Sequence, residues 1–276
     1  MGEAKRARSA TAKLLEQHPY CCLCGGIRIA TTREHVPPRA LFDRSHRPDR
    51  LVVPACDDCN RGTSTADLVV SLVARWRFDE ITDSEAYDHS RLAARLRKQA
   101  PEILSEWTKL GLIDRKKARR HLREHGLDIP LNGPVVSIGA KTIPLLNLFA
   151  HKFTLGLYFD HISQPLPSTG GVFATFKTKE DVAAKGMPRE LVELFPRTRA
   201  LLQGVWDTTE QFVYRYDENR SEGLFGCLAR LRTGLFVFGL AVKDLSWLPA
   251  AERNDFTPPD RLLGRLNDPA FGRRAA

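Results

Sequence analysis

No stretch of this sequence reaches the roughly 18 uninterrupted apolar residues that a membrane-spanning helix needs. No membrane helix is therefore expected. The opening segment, MGEAKRARSATAKLLEQHP, carries charge but lacks the apolar core of a secretory signal. Together the two absences point to a cytoplasmic protein. Acidic residues are in deficit: 33 Asp and Glu stand against 42 Lys and Arg, giving a net charge of +9 and a pI near 9.4. Such a surplus favours polyanions, nucleic acid among them. No internal repeat is visible. The second half holds no glycine-rich phosphate loop, no nucleophile elbow and no further metal-ligand spacing. Cysteine is nearly confined to one region. Cys21, Cys22, Cys24, Cys56 and Cys59 lie close together, and only Cys227 stands apart. Disulfide scaffolds spread cysteines through a small secreted chain, whereas clustering in a reducing compartment points to metal.

What is present begins with that cluster. Cys21-x-x-Cys24 and Cys56-x-x-Cys59 are two paired spacings about thirty residues apart. Each pair can form a tight knuckle that aims two thiolates at one point, and zinc favours four such ligands in a tetrahedron. Cys22-x-Cys24 is also conceivable. The two-residue gap followed by Gly25-Gly26 suits Cys21 with Cys24 better, leaving Cys22 as a small inward side chain. Cys227, in the apolar stretch LFGCLARL, is expected in a core.

Between the knuckles lies EHVPPRALF, residues 34–42. Pro37 and Pro38 fix the backbone and keep the preceding residues out of helix, so Glu34 and His35 sit on an extended segment. Adjacent strand residues point to opposite faces, so the carboxylate and the imidazole have separate tasks. GGIRIATTREHVP reads as a hairpin containing Ile27, Ile29 and Val36. RLVVPA reads as a short strand, and the chain from Cys56 to Trp76 as helix with a break near Gly62.

The order C-x-x-C-Gly, Glu-His followed by Pro, apolar strand, C-x-x-C-Asn resembles the zinc-knuckle branch of the HNH, or ββα-metal, nucleases. The resemblance covers residues 20 to about 67, a quarter of the chain. It implies a metal-dependent endonuclease with a structural zinc on Cys21, Cys24, Cys56 and Cys59. It implies His35 as general base, with Glu34 and Asn60 holding a catalytic Mg²⁺ or Mn²⁺. The substrate implied is nucleic acid, with DNA the expected polymer. Two departures stand out. Glu34 replaces the more usual Asp, and the place of the middle Asn holds Arg50, with Asp49 beside it as a possible substitute. Arg39 and Arg61 are candidate phosphate contacts. The alternative class is a catalytically inactive zinc protein that binds nucleic acid.

The fold class expected is α+β. A basic N-terminal helix (1–19) precedes the zinc-stapled ββα-metal module (20–80). A basic helical segment (81–133) follows, in which three helices end at Gly126 and the run DRKKARRHLREHG offers Arg119 and Arg120 to phosphates. An α+β domain (134–250) comes next: VVSIG as a strand, TIPLLNLFAHKFTLGLYFDHI as a long apolar helix, and four strands forming an antiparallel sheet. Its role is open between substrate selection, ligand recognition and dimerisation, a homodimer being one option. Residues 251–276 are expected to be a weakly ordered tail.

Overall fold

The computed structural model of the chain describes residues 2–43, 50–76, 82–127, 135–203 and 206–264. Helix α1 (Gly2–Gln17) leads into a short 3-10 turn, Cys22–Cys24. Strand β1 (Thr32–His35) pairs antiparallel with β2 (Val52–Ala55), with Thr32 opposite Ala55 and His35 opposite Val52. Helices α2 (Asp57–Gly62) and α3 (Ser64–Val73) follow, broken at Thr63. Thr63 turns its hydroxyl back onto the carbonyl of Cys59 at 2.8 Å instead of capping α3. The hairpin expected over Ile27–Val36 is not formed. Ile29 makes only an isolated bridge to Tyr20, and the partner of β1 is the later strand β2.

Helices α4 (Asp83–Gln99), α5 (Pro101–Thr108) and α6 (Leu112–Glu124) form the helical segment. Thr82 and Glu85 make a reciprocal capping box at the start of α4, and Pro101 opens α5 where its missing N–H costs nothing. The VVSIG strand is absent. Glu106 of α5 accepts from the backbone N–H of Gly139 (3.0 Å), Lys141 (2.8 Å) and Thr142 (3.1 Å). The end of that stretch is thus drawn into the cap of the next helix, where a carboxylate is favoured.

Helix α7 (Thr142–Ile162) is buried on nearly all sides, as expected of a helix without a polar face. After it come β3 (Gly171–Thr178), α8 (Lys179–Lys185), α9 (Arg189–Glu193), β4 (Arg197–Ala200), the short pair β5 (Leu202–Gln203) and β6 (Trp206–Asp207), then β7 (Phe212–Asn219), β8 (Leu224–Leu231), β9 (Leu235–Val242) and α10 (Ala250–Arg253). The main sheet is antiparallel throughout, in the order β3-β9-β8-β7-β4. The four long strands are those the sequence predicts. β4 is an addition.

α7 is the centre of the molecule, packed against β3 and β9 on one side and against α3, β2 and the cysteine turn on another. Two glycines permit this. A Cβ on Gly239 of β9 would lie 2.1 Å from the Thr154 hydroxyl, and one on Gly156 of α7 would lie 2.6 Å from the Val36 side chain. A single apolar core therefore runs from the cysteine turn through α7 into the sheet.

A second fastening lies at the turn after the prolines. Arg75 donates to the carbonyls of Ala40 (3.1 Å), Leu41 (3.3 Å) and Phe42 (3.0 Å), and to Asp43 at 3.1 Å. Arg232, from the β8–β9 turn, also binds Asp43 and the Leu41 carbonyl. The tail departs from expectation up to Gly264: Thr257 bridges to Val172, Leu262 is buried, and Pro259 abuts the cysteine turn at Gly25. Apolar residues spaced among the prolines give this stretch surface to bury, whatever its terminal position.

Candidate functional site

The four expected cysteines converge. Cys21 precedes the first 3-10 turn and Cys24 ends it, while Cys56 precedes α2 and Cys59 lies within it. Their sulfur atoms lie within 4.8 Å of one another and all four residues are buried. Thiol donors from Cys21 and Cys59 hold the Cys24 thiolate far below the ordinary thiol range. The same bonds push Cys21 and Cys59 up. Crowding four thiols in this way leaves protons that a cation would displace, which is how metal binding couples to folding. The group can hold a metal. Cys22 stays outside it, its thiol pushed well up by burial and by the neighbouring Cys21 and Cys24. Cys227 lies in the sheet core as expected.

Glu34 and His35 part at the pleat of β1. Glu34 faces inward and is buried. Its Oε1 accepts from Nζ of Lys152 at 3.0 Å, and the same ammonium donates to Asp67 Oδ2 of α3 at 2.6 Å. Lys152, on α7, is only 1% exposed. Sequence reasoning missed both partners. The available signal was a lysine inside an apolar helix, since lysine is almost never fully buried unless paired.

Burial raises the Asp67 carboxyl to about 6, against the pull of Lys152 and with the like charge of Glu34 adding to the rise. The folded state thus holds this proton more tightly than the unfolded chain does. The contribution of Asp67 is fully present below the unfolded value near 4 and is lost as pH rises through about 6. Asp67→Asn removes that slope. Its melting temperature relative to wild type is expected to improve between about pH 4 and pH 7, by the equivalent of roughly 1–3 kcal/mol. Thermal unfolding of both proteins across this range checks it, and a constant difference would refute it.

His35 occupies the other face, half exposed. Its Nε2 accepts from Nε of Arg39 at 3.2 Å, so that nitrogen carries its lone pair outward. Arg39 is itself exposed, on the 3-10 turn Arg39–Leu41 that Arg75 and Arg232 hold down. Asn60, directly after Cys59, donates from its amide nitrogen to Thr32 Oγ1 (2.9 Å) and more distantly to the Arg33 carbonyl (3.5 Å). It therefore ties α2 to β1. Arg61 is exposed and paired with Asp57 at 3.0 Å. Arg119 and Arg120 lie on α6, a helix that buries none of its residues. Asp49, the possible substitute for the middle Asn, lies outside the described residues.

Of the two residues expected to hold a divalent ion, Glu34 already has a cation beside it and Asn60 does not. Lys152 pairs with Glu34 from the core side, whereas Asn60 is tied to β1 through its amide nitrogen only, a bond that does not engage the amide oxygen a cation would take. Among the described residues, the four cysteines are the one group of three or more His, Cys, Asp or Glu placed to hold a metal. No described helix is long and apolar enough to cross a membrane. No protein-family model, no curated protein and no solved structure matches the chain.

Proposed function

We propose that this chain is a nucleic-acid phosphodiester hydrolase of the HNH type, stapled by a structural zinc on Cys21, Cys24, Cys56 and Cys59. The observation that carries the reading is the arrangement of His35. It sits at the end of a two-stranded β1–β2 pair joined to α2 by the cysteine group, with an exposed guanidinium on its ring nitrogen. A phosphate entering this face would draw the Arg39 donor onto its own oxygens, because an oxyanion is the better acceptor. The Nε2 lone pair then takes a proton from water as the water oxygen attacks phosphorus. The P–O bond to the leaving oxygen breaks, and that oxygen is protonated from solvent. Glu34 takes no part at the reacting phosphate in this scheme. A cytoplasmic setting suits the cysteine group, since thiols stay reduced there.

The polymer contact rests on charge. The net charge is +9, and α6 projects Arg119 and Arg120 beside four further cations with no residue buried. DNA is the expected polymer. Affinity is expected to fall steeply with salt, since each neutralised phosphate releases counterion. Replacing Arg119 and Arg120 with Ala should flatten the slope of log affinity against log salt by about 1–2. Affinity that ignores salt, or an unchanged slope in the variant, would exclude this surface.

A second reading has one observation in its favour. With Glu34 turned onto Lys152, the module would bind nucleic acid through its zinc-stapled surface without cleaving it. Incubation with supercoiled plasmid and with single-stranded RNA separates the two. Nicked or shortened product supports hydrolysis, and salt-sensitive binding without product supports the second reading.

A further inference from the structure

β1 and the residue that follows it meet α7 twice. Glu34 reaches Lys152 at 3.0 Å, and Val36 fills the notch left by Gly156. Residues two apart on a strand share a face, and residues four apart on a helix share a face. Glu34 of β1 and Val36, one residue past its end, are therefore held by two successive turns of α7, and His35, between them, projects the other way. Asp67 completes the buried set from α3, at 2.6 Å from the same ammonium.

We propose that Lys152 is the resident counter-cation of Glu34, standing where a divalent ion was expected. This extends the hydrolase reading to the same site, but its test reads ion binding and stability and not cleavage. Two arguments carry it. The first is room: magnesium keeps several of its waters, whereas the Glu34 carboxylate faces a lysine that is 1% exposed. The second is charge. An ion on Glu34 would stand a few ångströms from an ammonium in a poorly screened interior, where like charges repel strongly. Burial works against the charge on Lys152, but Asp67 and then Glu34 outweigh it and hold the ammonium above its ordinary range. The cation is thus built into the fold, supplied from 118 residues away along the chain.

The test uses zinc-loaded full-length protein and Mn²⁺ as the probe, its free concentration followed by electron paramagnetic resonance. Wild type and Glu34→Gln are expected to bind Mn²⁺ alike. A stoichiometric Mn²⁺ site in wild type that Glu34→Gln abolishes would overturn the proposal. Because single variants of a buried ion pair risk unfolding, a second comparison stands beside it. Lys152→Met alone leaves buried carboxylates without a cation and should lower the melting temperature by roughly 10 °C. Adding Glu34→Gln and Asp67→Asn restores neutrality and should recover most of that loss. A triple variant melting at or below Lys152→Met would mean that charge balance is not what Lys152 supplies.

Discussion

Cys59→Ser is expected to release the zinc and unfold the module around it. Structural zinc contributes an apparent 10–16 kcal/mol in small zinc modules, roughly the whole stability of an ordinary domain. A serine hydroxyl is not deprotonated near neutral pH and does not replace a thiolate in the tetrahedron. The position magnifies the effect. Cys59 lies on α2, one residue before the Asn60 that ties α2 to Thr32 of β1, and its carbonyl accepts from Thr63 at the α2–α3 break. Loss of the metal therefore loosens the β1–β2–α2 junction as a unit. Cys22→Ser is the matched control: Cys22 is equally buried but outside the cysteine group, so zinc should be retained. Elemental analysis and thermal unfolding of the three proteins give the answer. Zinc-free wild type, or a Cys59→Ser protein that melts like wild type, would refute the staple.

His35→Ala is the second large effect. General-base catalysis contributes typically about 10²–10⁴-fold, so the loss should be of at least that order. Fold and zinc should survive, because the ring is half exposed and faces away from α7. Arg39→Ala should cost less than His35→Ala, since it removes a phosphate contact and a ring hydrogen bond but leaves the base. Equal losses would show that the guanidinium matters as much as the imidazole at this face, against a separate base role for His35.

Much of this arrangement was legible in the residues. The paired cysteine spacings foretell the convergence of four sulfurs, because a two-residue gap allows a knuckle and little else. The apolar run from Thr142 to Ile162 foretells the central helix, and alternating residues foretell β3, β7, β8 and β9. Short elements paired at a distance were not legible. β1 and β2 are four residues each, so β-propensity near Ile27 and Ile29 outweighed the true partner, which lies across the proline turn. β4, with the sequence RTRA, has no apolar alternation and exists only because it edges β7. Pleat alternation foretold the separation of Glu34 from His35. The charge that Glu34 meets was legible only as a lysine inside an apolar helix, which says that it needs a partner but not which one, since the partner lies far along the chain.

The central claim is that His35 activates water at a phosphodiester. It is tested most directly by the initial rate of supercoiled-plasmid nicking, measured for wild type and His35→Ala at equal zinc content and equal DNA binding. The account predicts nicking by wild type and a fall of at least about 100-fold in the variant. Equal rates in the two proteins, or no nicking by zinc-loaded wild type on DNA that it binds, would contradict it.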